Sequence, residues 1–69
     1  MQYLEISDLE LEDVRNKFKD QIVLMGEAKE FKPGELLLIS TLDSLENEMV
    51  DIERITYDFI SNQTTLVLE

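Results

Sequence analysis

Residues 38–49 read LISTLDSLENEM, and the pattern in this stretch determines how the rest of the chain is interpreted. Apolar residues recur there at steps of four and three, which is the spacing of one face of an α-helix. The stripe continues beyond the stretch and comprises Leu38, Leu42, Leu45, Met49, Ile52, Thr56 and Phe59. This pattern predicts one long amphipathic helix over about residues 34–62, with coiled-coil-like periodicity.

A shorter helix is predicted upstream, over about residues 8–25. Ser7 precedes Glu10 by three residues, so the two side chains can form a capping box at its start. Its apolar stripe comprises Leu11, Val14, Phe18, Ile22 and Met25. Gly26 can supply a left-handed C-terminal cap, and residues 26–33 then form the linker between the two helices.

Two amphipathic helices joined by a short linker bury their stripes most simply against each other. We therefore expect an all-α fold, a single antiparallel two-helix hairpin over residues 1–69, in which the second helix is the longer one. Residues 63–69 are expected to be a C-terminal tail, with a short strand paired to residues 2–6 as the alternative. The far end of the longer helix needs a cover, which Tyr3, Leu4 and Ile6 would supply in an antiparallel hairpin. The alternative cover is a second copy of the chain, which leaves a homodimer open.

The balance of charges limits the classes of partner. Sixteen acidic and six basic residues give a formal net charge of -10 at pH 7. Such a chain repels phosphate backbones and anionic lipid, so neither nucleic acid nor membrane is expected as a partner. A basic protein surface is better matched electrostatically, although an acidic balance also serves solubility alone.

The composition and the N-terminal sequence limit the metal chemistry and the location. The chain has no cysteine and no histidine, which excludes disulfides and the usual zinc and iron sites. No cofactor or metal is therefore expected on this chain. The opening MQYLEISDLE does not resemble a signal peptide, and no apolar run approaches the roughly 18 residues of a membrane span, so we expect a cytoplasmic protein.

A polar row is predicted on the outer face of the second helix. Ser40, Asp43 and Asn47 follow one another at spacings of three and four, and they would share one surface if the leucines face the partner helix. Such a row is also ordinary on the solvated side of any helix.

The same region is similar to the small sporulation-regulating aspartyl-phosphate phosphatases of bacilli, the stage-zero-E-like proteins. Their second helix carries the pentad SQELD and typically continues as LSQELDxLINEY. The matching residues are Leu38, Leu42, Asp43, Leu45, Asn47 and Glu48, with further likeness at Pro33 and at Leu11, Val14, Arg15 and Phe18. Ile39, Ser40 and Thr41 replace the Ser, Gln and Glu of the pentad, and the likeness covers roughly residues 8–50.

This resemblance implies a protein aspartyl-phosphate phosphatase, a hydrolase that dephosphorylates a response regulator in a phosphorelay and so negatively regulates sporulation. Asp43 would be the catalytic carboxylate, which orients or partly deprotonates the attacking water or reaches the regulator's metal or lysine. Ser40, Asn47 and Ile39 would bind the phosphorylated regulator. The Mg²⁺ needed would be held by the regulator.

Two other interpretations remain open. One is a non-catalytic acidic antagonist, an interaction hairpin that binds a basic surface of a signalling protein with stoichiometric rather than turnover behaviour. The other is a structural module whose long apolar stripe serves self-association. An independent small-molecule enzyme is disfavoured, since the chain has no glycine-rich phosphate loop, nucleophile elbow or histidine base.

Overall fold

The computed structural model describes residues 2–41 and 46–69, and it is built mainly from β-strands. In chain order the elements are β1 (Gln2–Glu5), α1 (Asp8–Arg15), β2 (Gln21–Met25), β3 (Leu36–Ser40), β4 (Asn47–Asp58) and β5 (Gln63–Leu68). The strands form one curled sheet, half of a barrel, in the order β1-β3-β4-β5-β2. β1 runs parallel to β3, and the other neighbouring strands are antiparallel.

Side chains alternate across the sheet with the period of two that strands impose. In β3, Leu37 and Ile39 are fully buried, whereas Leu38 lies on the outer face. β4 is shared by both halves of the sheet, because residues 47–51 pair with β3 and the later residues pair with β5. A bulge between Ile52 and Arg54 follows directly after this change of partner, and such bulges typically bend a strand.

The short helix covers the inner side of the sheet. Ser7 begins it, since its Oγ accepts a hydrogen bond from the backbone N–H of Glu10 at 3.2 Å. The carboxylate of Glu10 is bound by Lys19, whose Nζ lies 2.6 Å from it. The buried core joins helix, loop and sheet, and its members are Leu11, Val14, Ile22, Phe31, Leu37, Ile39, Ile52, Leu66 and Leu68.

The connection from β2 to β3 is fixed to the sheet through one buried hydroxyl. Thr64 Oγ1 donates to the carbonyl of Gly26 at 2.6 Å and accepts from the N–H of Ala28 at 3.0 Å. Phe31, further along the same connection, is buried in the core. The connection therefore forms part of the hydrophobic interior.

The predicted all-α, antiparallel two-helix hairpin is wrong. The first predicted helix, residues 8–25, contains the eight residues of α1 and then β2, and the second, residues 34–62, contains β3 and β4. Residues 26–33 connect two strands rather than two helices. Residues 63–69, predicted as a tail, contain β5, which lies between β2 and β4.

The physical reason is that the apolar stripe does not lie on one face. Leu38 and Met49 point outward, whereas Ile52 points into the core. The residues of the predicted stripe therefore belong to different strands and to different faces of the sheet. Their spacing of three and four along the sequence does not describe one face of a helix. Residues 50–57, VDIERITY, are rich in β-branched and aromatic side chains, as is typical of strands. Gly26, predicted to cap a helix, ends β2 with a φ of 83°.

Candidate functional site

The outer side of β1, β3 and the start of β4 carries an exposed apolar row. Tyr3 lies opposite Leu38 in register, and Leu38 lies opposite Met49, so the three side chains share one face. Tyr3 is 69% exposed and Met49 is 49% exposed. Leu36, also exposed, extends the row along β3. These apolar groups face solvent on the outer side of the sheet, while the core lies on its inner side.

Acidic and polar side chains lie on both sides of this row. Asp51 pairs with Leu36 on one side, and on the other side Glu5, Ser40 and Asn47 form a second cross-strand row. We refer to the whole set as the acidic-apolar face, and its members are Tyr3, Glu5, Leu36, Leu38, Ser40, Asn47, Met49 and Asp51. Neither lysine nor arginine occurs in β1, in β3 or in residues 47–51. The face therefore has negative charge beside an apolar strip.

Arg15, the last residue of α1, holds the beginning of β4. Its Nε donates to Glu48 Oε2 at 3.1 Å, and its Nη1 lies 3.5 Å from Glu46 Oε2. The hydrogen bond to Glu48 raises the pKa of Arg15 further above its ordinary value. Because these groups are well exposed, the pairs add little to stability, but they fix the end of the helix beside the end of the acidic-apolar face.

An open depression of about 400 Å³ lies next to Arg15 and its glutamate partners. It is lined by Asp8, Glu12, Arg15, Asn16 and Glu46. Its carboxylates outnumber its single arginine, which is already paired with glutamates, so the depression suits a basic side chain better than an anion. Among the residues that the structure describes, no group of three or more His, Cys, Asp or Glu is arranged to hold a metal ion.

The predicted site residues have different environments. Ser40 and Asn47 lie opposite each other in register on the outer face, so the structure brings these two together. Ile39 is fully buried behind them. Asp43 lies outside the described residues. Thus two of the predicted binding residues belong to one end of the acidic-apolar face.

Sequence reasoning missed the residues that dominate this face. Met49 was assigned to the helical core stripe, and Tyr3 to a cover for the distal end of the second helix. The signal in QYLE and in NEMVD is a pair of adjacent apolar residues between polar ones, Tyr3 with Leu4 and Met49 with Val50. In a strand, neighbouring side chains point to opposite faces, so one member of each pair must lie on the outer side of the sheet.

A scan against protein-family models and a search of curated proteins return no match to this chain. The function is therefore inferred from the geometry and charge of the face itself.

Proposed function

We propose that this chain is an interaction module that binds a basic and partly apolar segment of another protein through the acidic-apolar face. The observation that carries the proposal is the outward-facing apolar row of exposed Tyr3, half-buried Leu38 and exposed Met49, flanked on both sides by carboxylates. The partner class is a signalling protein with a basic surface. A cytoplasmic location is part of the same proposal.

The apolar row separates this proposal from simple solubility. Acidic side chains alone keep a small domain soluble, so a net charge of -10 does not require a partner. The outward-facing strip of Tyr3, Leu38 and Met49 lowers solubility rather than raising it, since contiguous apolar surface favours association and is characteristic of binding sites. The two features together are expected where a partner supplies both apolar contact and positive charge.

Charge would act mainly on the rate and the selectivity of binding. The negative field of the chain draws a basic partner toward it and disfavours acidic ones, while the apolar row supplies contacts that persist after docking. Tyr and Met are also side chains that are enriched in interface cores. Glu5 and Asp51 would then pair with basic groups at the rim.

The direct test uses a short amphipathic peptide of leucine and lysine, with a leucine and glutamate peptide as its control. We expect the lysine peptide alone to bind, with backbone amide shifts concentrated at Tyr3, Leu38 and Met49. Added salt should weaken the binding, because screening reduces attraction between exposed charges. Calorimetry gives the affinity, and heteronuclear NMR gives the location.

Met49→Ser should weaken this binding about tenfold, a typical cost for truncating a central interface residue. The control is Leu9→Ser, which removes an apolar side chain from α1, outside the face; Leu9 is 78% exposed and Met49 is 49% exposed. Equal effects of the two substitutions, or equal binding of the glutamate peptide, would contradict the proposal.

A second experiment separates binding from phosphatase activity. The phosphatase activity implied by the resemblance stays a prediction. One strand ends at Ser40, before Asp43, and another begins at Asn47, after it, in a region that is helical in that family. We expect substoichiometric amounts of the chain to leave the phosphate half-life of a sporulation response regulator unchanged in the presence of Mg²⁺. A half-life shortened by the parent and restored by Asp43→Ala would support the phosphatase and contradict a purely binding role.

Within the described part of the chain, no helix has the length and apolar character that crossing a membrane would require.

A further inference from the structure

β2 is an edge strand without a charged side chain. It reads QIVLM over residues 21–25, in a chain of which 32% of the residues are charged. Free strand edges normally carry charges, proline or a bulge that prevents them from pairing with another chain. β1, at the other end of the sheet, is shorter and contains Glu5. The part of β4 that pairs with β5 but not with β3 has one free edge, and it contains Arg54 and Asp58. Of the edges left unpaired in the described residues, that of β2 alone has no charge.

Two hydrogen bonds show which backbone groups of β2 face its neighbour. The N–H of Leu68 donates to the carbonyl of Asp20, and the N–H of Gly26 donates to the carbonyl of Asn62, both at 2.7 Å. These pairs continue the register of β2 with β5 beyond the two ends of β2. Asp20 and Gly26 are thus hydrogen-bonded positions of the antiparallel ladder.

In such a ladder, alternate residues bond to the neighbouring strand and the residues between them face away. Ile22 and Leu24 therefore direct their N–H and C=O groups toward β5. The groups of Gln21, Val23 and Met25 are directed toward the free edge. Val23 and Met25 also have exposed side chains, 50% and 75% respectively.

We propose that two copies of this chain associate through β2, antiparallel, about a two-fold axis at Val23. In this register Val23 faces Val23 of the other copy, and Gln21 faces Met25 of the other copy. Each of these residues both donates and accepts one backbone hydrogen bond across the axis. The contact is self-complementary, as a two-fold interface requires, and it joins the two sheets into one.

The chemistry of the edge favours a second copy over an unrelated partner. Each copy has a charge of -10, yet β2 itself has no charged side chain, so the paired strands bring no like charges together. Antiparallel pairing also brings the start of one strand, preceded by the 82% exposed Phe18, near the end of the other, where Met25 lies. β1 and the acidic-apolar face belong to the opposite end of the strand order and stay free.

The first test is sedimentation velocity over a concentration series up to about 1 mM, the range in which small interfaces associate. We expect a monomer–dimer equilibrium that added salt strengthens, because screening reduces the repulsion between two acidic copies. Binding of the lysine peptide is expected to change with salt in the opposite direction, so failure of one proposal is distinguishable from failure of the other. A parent that stays monomeric throughout this range, at low and high salt, overturns the dimer.

Val23→Lys should raise the dimer dissociation constant at least about tenfold, since it places like charges opposite each other at the axis. Thr56→Lys is the matched control. Thr56 lies in the same cross-strand row, Val23 to Thr65 to Thr56, but in β4, whose partner at this position is β5. This control should dimerise like the parent. Equal loss in both variants would indicate a general effect of charge and overturn the assignment to β2.

Val23→Pro is a second variant, which removes an outward N–H and no hydrogen bond to β5. It should also dissociate the dimer while the far-UV circular dichroism stays that of the parent. Amide hydrogen exchange gives an independent readout. Gln21, Val23 and Met25 should exchange fast in dilute samples and become protected in concentrated ones, whereas Ile22 and Leu24 should be protected in both. Concentration-independent exchange at the first three overturns the proposed interface.

Discussion

Leu37→Ala is expected to lower the free energy of unfolding by about 3 kcal/mol, and Leu38→Ala by no more than about 1 kcal/mol. Leu37 is fully buried in the inner face of β3, so its truncation leaves a cavity among core side chains. Leu38 is half-buried on the outer face, where solvent fills the space left by truncation. A domain of this size has a total stability of only about 3–10 kcal/mol, so Leu37→Ala should leave it close to unfolding.

Urea unfolding followed by circular dichroism measures both changes in stability. The two variants are the same leucine-to-alanine substitution at adjacent residues. The pair also discriminates between folds. In the helical hairpin Leu38 belongs to the buried stripe and Leu37 does not, so the order of the two effects would be reversed. A larger loss of stability for Leu38→Ala would contradict the strand assignment of β3.

The start of the helix could be predicted from the sequence, because its determinants are local. Ser7 caps the helix that begins at Asp8, and Leu11 and Val14 are buried as their spacing indicated. A cap and one turn of apolar residues need no information from the rest of the chain. The end of the helix could not be predicted in the same way.

Beyond Arg15 the spacing of apolar residues continued while the structure changed. Lys17 has a left-handed φ of 64°, and residues 21–25 pair with β5 at the far end of the chain. Pairing over that separation leaves no trace in the local period, and QIVLM is an apolar run that fits a buried helix or a strand equally well. Partner strands thus decided the fold where propensity and periodicity were ambiguous.

The candidate site shows the same limit. Ser40 and Asn47 were grouped as helical neighbours, and the structure makes them neighbours for another reason, the pairing of β3 with β4. The outward-facing row Tyr3, Leu38 and Met49 depends on which side of the sheet α1 covers, and this choice is a property of packing. Composition predicted the acidic character of the surface, and only the register of three strands located the apolar strip within it.

Thr64→Val is expected to lower the free energy of unfolding by about 2 kcal/mol, although valine matches threonine in shape and suits a strand. The Thr64 hydroxyl is buried, donates to the carbonyl of Gly26 and accepts from the N–H of Ala28. Valine would leave both backbone groups without this partner in the interior. An unsatisfied buried donor costs more than the hydrogen bond itself contributes, since the group also loses water.

Thr65→Val is the control, because Thr65 is the next residue of β5, points to the outer face and is only half-buried. Its substitution should change stability by less than about 0.5 kcal/mol, as is usual for surface positions. Urea unfolding measures both variants, and amide exchange at Ala28 reports the local effect, which should be faster in Thr64→Val alone. If the two substitutions cost the same, the hydroxyl does not hold the β2–β3 connection to the sheet. The position of Phe31 in the core would then depend on its own apolar contacts, and Phe31→Ala would become the substitution that releases the connection.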